Sequence, residues 1–109
     1  MEVNDKPTIF ASRVYEIVRS IPRGKVASYR DVAQVLGVRS AQAVGQALKR
    51  NPYAPEVPCH RVVRSDGRLC GFFGDTTGTG LEQKAEMLRS EGVAVVMGNI
   101  DMTEYLHRW

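Results

Sequence analysis

Two short amphipathic patterns lie side by side in residues 28–50 and restrict what this chain can fold into. The first begins at a serine cap and ends before Gly37, and the second runs from Ala41 to about Lys49 behind the cap Ser40. Helices joined by so short a link must pack against each other, which predicts a helix-turn-helix or an ordinary helical hairpin. The segment alone does not choose between these two structures.

The second of these helices is built from unusually small residues. A glycine inside a helix costs about 1 kcal/mol relative to alanine, so a helix that carries one is often approached closely by something else. A packed neighbour is one explanation, and a nucleic-acid backbone is the other. Lys49 and Arg50 would contact phosphates in the second case and would suit the helix dipole in the first. The small residues are Ala41, Ala43, Gly45 and Ala47.

The remaining patterns predict a single domain over residues 1–109, mainly α-helical with a small β-hairpin. Thr8 is the expected cap of the first helix, and Ser28 with Asp31 has the spacing of a capping box. The other expected elements are a helix over 8–20, a buried strand over 57–64, a hairpin turn at 65–67 returning over 68–70, a mobile glycine-rich loop over 71–80, a helix over 81–91, an apolar strand or extended piece near 93–98 and an aromatic tail that packs back on the body.

Composition excludes several classes of protein. The 109 residues contain no apolar run near the roughly 20 needed to cross a bilayer, and the polar N-terminus lacks a signal-peptide core. We therefore expect a cytoplasmic protein, and a monomer, with no membrane partner. Cys59 and Cys70 form no disulfide framework and lack the paired spacing of a zinc site, so no metal is expected. A net charge of +3 tolerates a nucleic-acid partner without establishing one.

The stretch VPCHRVV places Cys59 directly before His60. A thiol becomes a strong nucleophile only as a thiolate, and the adjacent imidazole could accept its proton directly or through a water. A carboxylate would be needed to hold that imidazole in the right tautomer. A buried structural cysteine is the alternative. Local sequence does not choose the carboxylate among Glu56, Asp66, Glu82, Glu86 and Glu91.

Taken together, these stretches resemble the O⁶-alkylguanine-DNA alkyltransferase family, also called methylated-DNA–protein-cysteine methyltransferases. The similarity covers roughly residues 8–93 and includes the highly specific motif PCHRV. It implies a winged helix-turn-helix-like domain, without the N-terminal domain of longer members. The other stretches that carry it are GKVASYRDVA, SAQAVGQAL, NPYAPEVP, SDG and LEQKAEMLRSEGV.

The resemblance implies a role for each residue around the thiol. Cys59 would accept the alkyl group, His60 would deprotonate it through a water, and Glu91 would orient His60. Asn51 matches the family's hinge asparagine, which ties the second helix to the active-site segment. No cofactor would be required.

The resemblance also implies a DNA-facing surface. Its partner would be duplex DNA containing an alkylated guanine, with helix 41–49 in the minor groove, which a slim helix suits. Tyr29 would crowd a phosphate and help to rotate the target base out of the stack. Tyr29, Val57, Pro58 and Phe72 would form the base pocket. The remaining implied DNA contacts are Arg30, Arg39, Gln42, Ala43, Gly45, Lys49 and Arg50.

The chemistry that follows is a single, irreversible transfer. The thiolate would displace guanine from the alkyl carbon and leave a thioether, so that each protein molecule acts once. An alkylated guanine pairs poorly, which lowers the cost of flipping it.

Three features depart from the family pattern. Gln42 stands where the family usually has an arginine that fills the hole left by the flipped base, and Arg39 lies nearby but out of register. The glycine-rich loop is about five residues longer, over 75–79. The short length and the aromatic tail are similar to those of the alkyltransferase-like proteins.

Alkyltransferase-like proteins bind alkylated DNA without transferring the group and hand the lesion to nucleotide excision repair. They usually have Trp or Ala where this chain has Cys59. A non-enzymatic damage sensor is therefore the alternative to an alkyltransferase. A general helix-turn-helix regulator is disfavoured, because the second helix has few side chains that read bases.

Overall fold

Five α-helices, one 3₁₀ turn and two very short strands form the described residues, 8–69 and 78–109, of this computed structural model. In chain order they are α1 (Ile9–Arg19), β1 (Ala27–Ser28), α2 (Tyr29–Leu36), α3 (Ala41–Lys49), the 3₁₀ turn (Cys59–Arg61), β2 (Val62–Val63), α4 (Gly78–Ser90) and α5 (Met102–Tyr105).

The caps expected from the sequence hold the first three helices. The Thr8 hydroxyl accepts the N–H of Ala11 at 3.0 Å, and Ser28 and Asp31 form the reciprocal capping box at the start of α2. Gly37 ends α2 in the left-handed region, with a φ of 75° that glycine adopts at little cost. Local hydrogen bonds therefore set the ends of these helices without the help of tertiary contacts.

Helices α1, α2 and α3 pack around one apolar core, which includes Val14, Val32 and Val44, all without exposed surface. The Tyr15 hydroxyl crosses this core and donates to the carbonyl of Ala47 at 2.7 Å. This bond ties α1 to the inner side of α3. The outer side of α3 is left for other contacts.

The predicted class, mainly helical with a small β component, is confirmed, but the two strands pair differently from a hairpin. Strands β1 and β2 run parallel, with Ala27 opposite Val62. The turn expected at 65–67 does form. The N–H of Arg64 donates across this turn to Arg68, but the return segment otherwise pairs with the chain near Asn99, where the N–H of Leu69 donates to Gly98 and that of Ile100 to Gly67. Pairing between distant segments is invisible to a local turn signal.

Of the apolar strand or extended piece expected near 93–98, the strand does not form. This segment makes a tight turn closed by mutual backbone bonds between Val96 and Asn99, and Met97 at its tip is 92% exposed. Only Val93 and Val95 of the run are buried. The apolar composition indicated a strand, but within the described residues the segment forms a β-bridge only at Val96, which bonds to Asn99.

The C-terminal tail packs beside β1, as expected. The backbone of Val26 receives the N–H of His107 at 2.7 Å and donates to Tyr105 at 2.9 Å. The Trp109 indole donates to the Ser20 hydroxyl at 2.6 Å. The tail therefore pairs with Val26, the residue directly before β1, and β1 leads into α2.

Two element boundaries also differ from expectation. Helix α4 begins at Gly78 instead of residue 81, and the buried Gly80 lies within its first turn. The start of the strand expected over 57–64 is instead the 3₁₀ turn. Within the described residues, no helix is both long enough and apolar enough to cross a membrane.

Candidate active site

The 3₁₀ turn delivers three consecutive side chains in three directions. Its three-residue period spaces Cys59, His60 and Arg61 around the axis, whereas a strand would have put the first and third on one face. The turn is closed by the N–H of Arg61 donating to the carbonyl of Pro58 at 2.9 Å. Cys59 is 7% exposed and His60 is 2% exposed, so both lie below the surface.

Glu91 is the carboxylate that contacts the histidine. The Nε2 of His60 lies 2.9 Å from the Oε2 of Glu91, and both side chains are almost fully buried. A carboxylate only accepts, so Nε2 carries the hydrogen and Nδ1 is left as the basic nitrogen. Nδ1 is buried and has no hydrogen-bond partner among the described residues. The ring therefore presents a free proton acceptor inside the protein.

The same carboxylate is held by Arg61, which the sequence analysis did not assign a role. The Nε and Nη2 of Arg61 donate to Oε1 and Oε2 of Glu91 at 2.9 and 2.7 Å. Burial acts to raise the pKa of Glu91, but the hydrogen bonds from Arg61 and His60 outweigh it and lower the pKa. Glu91 is therefore ionised at neutral pH.

Both members of the cysteine–histidine pair are neutral in the free protein. Burial raises the pKa of the Cys59 thiol, against a hydrogen bond from Asn51 and the charge of Lys84, which lower it. Burial lowers the pKa of His60, although Glu91 acts in the opposite direction. A neutral thiol beside a neutral imidazole is a resting state that becomes reactive when the proton moves from sulfur to nitrogen.

Asn51 links the end of α3 to the segment before the thiol. Its side-chain N–H donates to the carbonyl of Val57 at 2.9 Å, and its Oδ1 accepts the N–H of Tyr53 at the same distance. One side chain therefore anchors both ends of the turn that precedes Cys59. This is the geometry expected of a hinge asparagine.

Lys84 is a second residue whose part in the site was missed. It is fully buried, its Nζ donates to the carbonyl of Val62 at 2.7 Å, and the same atom lies 5.9 Å from the centre of the Tyr29 ring. A signal was present in the sequence, because this lysine falls on the apolar face of its helix between Leu81 and Leu88. A buried cation connects β2, α4 and the start of α2.

The residues predicted to contact DNA are all exposed or half-buried in the helix-turn-helix. Tyr29 is half-buried, and its ring lies next to Gly45. A cleft of about 320 Å³ opens beside Tyr29 and Arg30, bounded by Ala41 and by residues 64–66 of the turn after β2. Ala43 is half-buried, and the exposed predicted contacts are Arg30, Arg39, Gln42, Lys49 and Arg50.

The predicted base pocket is only partly within the described residues. Val57 and Pro58 are buried and do not line the cleft beside Tyr29. Phe72, Cys70 and most of the glycine-rich loop lie outside the described residues. In the part of the chain that is described, no group of three His, Cys, Asp or Glu side chains could hold a metal ion.

The fold and the site define a helix-turn-helix protein with a buried cysteine–histidine–glutamate arrangement, which Asn51 links to the end of the second helix. The chain belongs to the 6-O-methylguanine DNA methyltransferase family, whose DNA binding domain matches residues 9–93. The resemblance found from the sequence is thereby confirmed.

The relatives fall into two groups. The methylated-DNA–protein-cysteine methyltransferase of Thermococcus kodakarensis is 45% identical over 79% of this chain and 46% of its own length. The DNA base-flipping protein of Escherichia coli is 40% identical over 99% of this chain and 80% of its own length. The chain thus spans less than half of the first methyltransferases it matches, at 30%, 47% and 46% of their lengths.

Solved structures of S. pombe proteins bound to DNA resemble the whole chain. The crystal structure of S. pombe ATL in complex with DNA is 30% identical, with a TM-score of 0.78 and complete coverage of both chains. The crystal structure of S. pombe Atl1 in complex with damaged DNA containing O6-carboxymethylguanine is 29% identical, with a TM-score of 0.81 and complete coverage of both chains. The matches to Atl1 and to the DNA base-flipping protein extend over nearly the whole chain, whereas the matches to the methyltransferases do not. The chemistry of the site must be judged from its residues.

Proposed function

We propose that this protein repairs DNA by transferring an alkyl group from the exocyclic oxygen of guanine to Cys59. The observation that carries the proposal is the buried contact in which Glu91 holds Nε2 of His60 and leaves Nδ1, on the residue that follows the cysteine, without a partner among the described residues. A purely structural cysteine needs neither an adjacent base nor a carboxylate to orient that base.

The transfer is balanced without a cofactor. The thiol proton of Cys59 moves to Nδ1 of His60, through a bridging water as the family resemblance implies. The thiolate then forms a carbon–sulfur bond to the alkyl group while the carbon–oxygen bond to guanine breaks. The departing guanine takes up one proton, so the net change is transfer of the alkyl group in exchange for the thiol proton. The thioether that remains ends the activity of that molecule.

Duplex DNA containing an alkylated guanine is the proposed substrate. Helix α3 enters the minor groove, Tyr29 helps to rotate the damaged nucleotide, and Val57, Pro58 and Phe72 contribute with Tyr29 to the pocket that receives the base. Positively charged side chains on this face contact phosphates and make binding sensitive to salt. The protein acts as a monomer in the cytoplasm, where a reducing environment keeps Cys59 as a thiol.

A damage sensor is the second candidate function. It is favoured by the similarity to Atl1 over the full length of both chains. In that function the protein would bind the lesion, keep the base flipped and pass it to nucleotide excision repair proteins. Cys59 would then be a wall of the pocket and not a nucleophile.

Intact-mass spectrometry after mixing with a methylated-guanine duplex separates the two functions. The alkyltransferase gains one methylene, about 14 Da, on the peptide containing Cys59 and none on the peptide containing Cys70, because only Cys59 has an adjacent base. Cys59→Ser is the control and should bind the duplex without gaining mass. Tight binding of the parent protein with unchanged mass would establish the sensor and exclude the transferase.

A further inference from the structure

Arg61 uses every nitrogen of its guanidinium to join two distant parts of the chain to the site. Two nitrogens hold Glu91, and the third, Nη1, donates to the carbonyl of Ile21 at 2.8 Å. Its side chain is 16% exposed, so these bonds are mostly shielded from water. Glu91 follows α4 and Ile21 follows α1, and Arg61 joins the two at the residue next to the histidine.

We propose that Arg61 is a positioning residue, which clamps Glu91 against His60 and shares the charge of that carboxylate so that His60 remains a neutral base beside Cys59. The effect of Arg61 on catalysis rests on the proposed alkyl transfer. The contacts that Arg61 makes to Glu91 and Ile21 do not depend on it.

The geometry of the carboxylate supports the clamp. Oε2 of Glu91 receives both Nη2 of Arg61 and Nε2 of His60, at 2.7 and 2.9 Å, while Oε1 is held by Nε of Arg61. A planar fork on both oxygens prevents the carboxylate from turning about its own axis. The oxygen that orients the imidazole is therefore held in place by the arginine.

An ordinary structural staple would not need this arrangement. A purely structural link between α1 and α4 requires the bond from Arg61 to Ile21 and any one contact to Glu91. Such a link does not require Arg61 to bind the same oxygen of Glu91 as His60 does. The additional consequence of sharing Oε2 is electrostatic, and it is the consequence that can be measured.

The charged groups that face His60 come from its own turn and from the α4 region. Burial lowers the pKa of His60, Glu91 raises it, and Arg61 and Lys84 lower it further; Cys59 is the remaining titratable neighbour. Removing the charge of Arg61 leaves the full charge of Glu91 acting on the imidazole. The ring should then keep its proton to a higher pH, and less of it would be available as a base.

Three variants separate charge from geometry. Arg61→Gln removes both the charge and the fork, whereas Arg61→Lys keeps the charge and loses the paired bonds. Arg89→Gln is the matched control, since Arg89 also fastens a backbone carbonyl, that of Val95, and pairs with Glu86 but does not touch the site.

The first measurement is the NMR titration of the His60 ring in each intact protein, which needs no DNA. The chain has two histidines, and His107 in the tail serves as the internal reference. We expect the midpoint for His60 to rise by about one pH unit in Arg61→Gln and to stay near the parent value in Arg61→Lys and Arg89→Gln. An unchanged midpoint in a folded Arg61→Gln protein would overturn the charge-sharing part of the proposal.

The second measurement is the rate of Cys59 modification against pH, with a methylated-guanine duplex and, separately, with iodoacetamide. Arg61→Gln should lower the maximal rate, which is the plateau of the rate plotted against pH. It should also move the acid limb, the part of the plot where the rate falls at low pH, to higher pH. Arg61→Lys should lower the plateau about tenfold at an unchanged limb, because a misplaced base loses rate steeply. If Arg61→Gln does not fold, Arg61→Lys still decides, since a plateau equal to that of the parent would overturn the clamp.

These readouts also separate this inference from the proposed function. If no protein, including the parent, accepts an alkyl group from DNA, alkyl transfer is wrong. The titration and the iodoacetamide rates would still confirm or overturn the role of Arg61.

Discussion

The ring of Tyr29 lies against Gly45, 3.9 Å from where a Cβ on that glycine would stand. This is an ordinary van der Waals distance, so the packing of the protein itself leaves room for alanine. The cost of glycine in the middle of α3 is therefore not explained by a neighbour within the described residues. The remaining explanation from the sequence is close approach of a nucleic acid.

Gly45→Ala tests this explanation. The substitution should stabilise the protein by about 0.5–1 kcal/mol in urea unfolding, because alanine is the better helix former. It should also weaken binding to a lesion-containing duplex, because the methyl group thickens the helix at the groove. Gln83→Ala, at an exposed position of α4, should leave affinity nearly unchanged. A Gly45→Ala protein that binds like the parent would show that the small side chain serves another purpose.

Asn51→Ala should impair both stability and the reactivity of Cys59. The substitution removes the bonds to Val57 and Tyr53, at a cost of about 1–3 kcal/mol for the polar groups left behind. It also removes the hydrogen bond that lowers the pKa of Cys59, so iodoacetamide should react more slowly at neutral pH.

Asn99→Ala is the control for Asn51→Ala, because Asn99 also donates to a nearby carbonyl but lies far from the thiol in an exposed turn. It should not change the reactivity of Cys59. Equal thiol reactivity in the Asn51→Ala and parent proteins would remove the hinge asparagine from the activation of the cysteine.

Gln42 and Arg39 are both exposed at the start of α3, and either could fill the gap left by a flipped base. We predict that Gln42 is the inserting residue, and a weaker one than arginine, because it is neutral and shorter. Gln42→Arg should speed transfer from duplex DNA and change little with free alkylguanine, where no base must be flipped. If Gln42→Ala equals the parent on duplex DNA and Arg39→Ala is slow, Arg39 is the inserting residue.

The site should make folding stability depend on acid pH. The pKa of His60 in the folded protein lies below its ordinary value of 6.5, so the unfolded chain takes up that proton first as the pH falls. The contribution of His60 to the free energy of unfolding is therefore fully present above pH 6.5 and is lost as the pH falls below it. A further loss follows below 4.5, the ordinary pKa of a glutamic acid, because the pKa of Glu91 is lowered as well.

Urea unfolding between pH 4 and pH 7.5 measures this dependence. His60→Gln should flatten the curve in the range just below pH 6.5. Identical slopes in the His60→Gln and parent proteins would mean that other groups cause the loss.

Local signals predicted the helical part of the fold well. Thr8, Ser28, Asp31 and Ser40 each form the capping bond that the sequence indicates, within three residues of themselves. The bounds of α3 agree with expectation at both ends, and the thiol and its histidine were evident as neighbours. The parallel pairing of residue 27 with residue 62 had no local signal.

What the sequence alone determined is whatever depends on a few consecutive residues: the helices, their caps, the turn at Gly67 and the adjacent pair Cys59 and His60. The local pattern left five carboxylates open and only the family resemblance pointed to Glu91, whereas the tertiary structure shows Glu91 in contact with the imidazole. It also placed Arg61 on that carboxylate and buried Lys84 beneath Tyr29. The physical reason is range, because a cap is closed by a hydrogen bond within one helical turn, whereas Glu91 meets His60 only after the packing of α4 brings together atoms 31 residues apart.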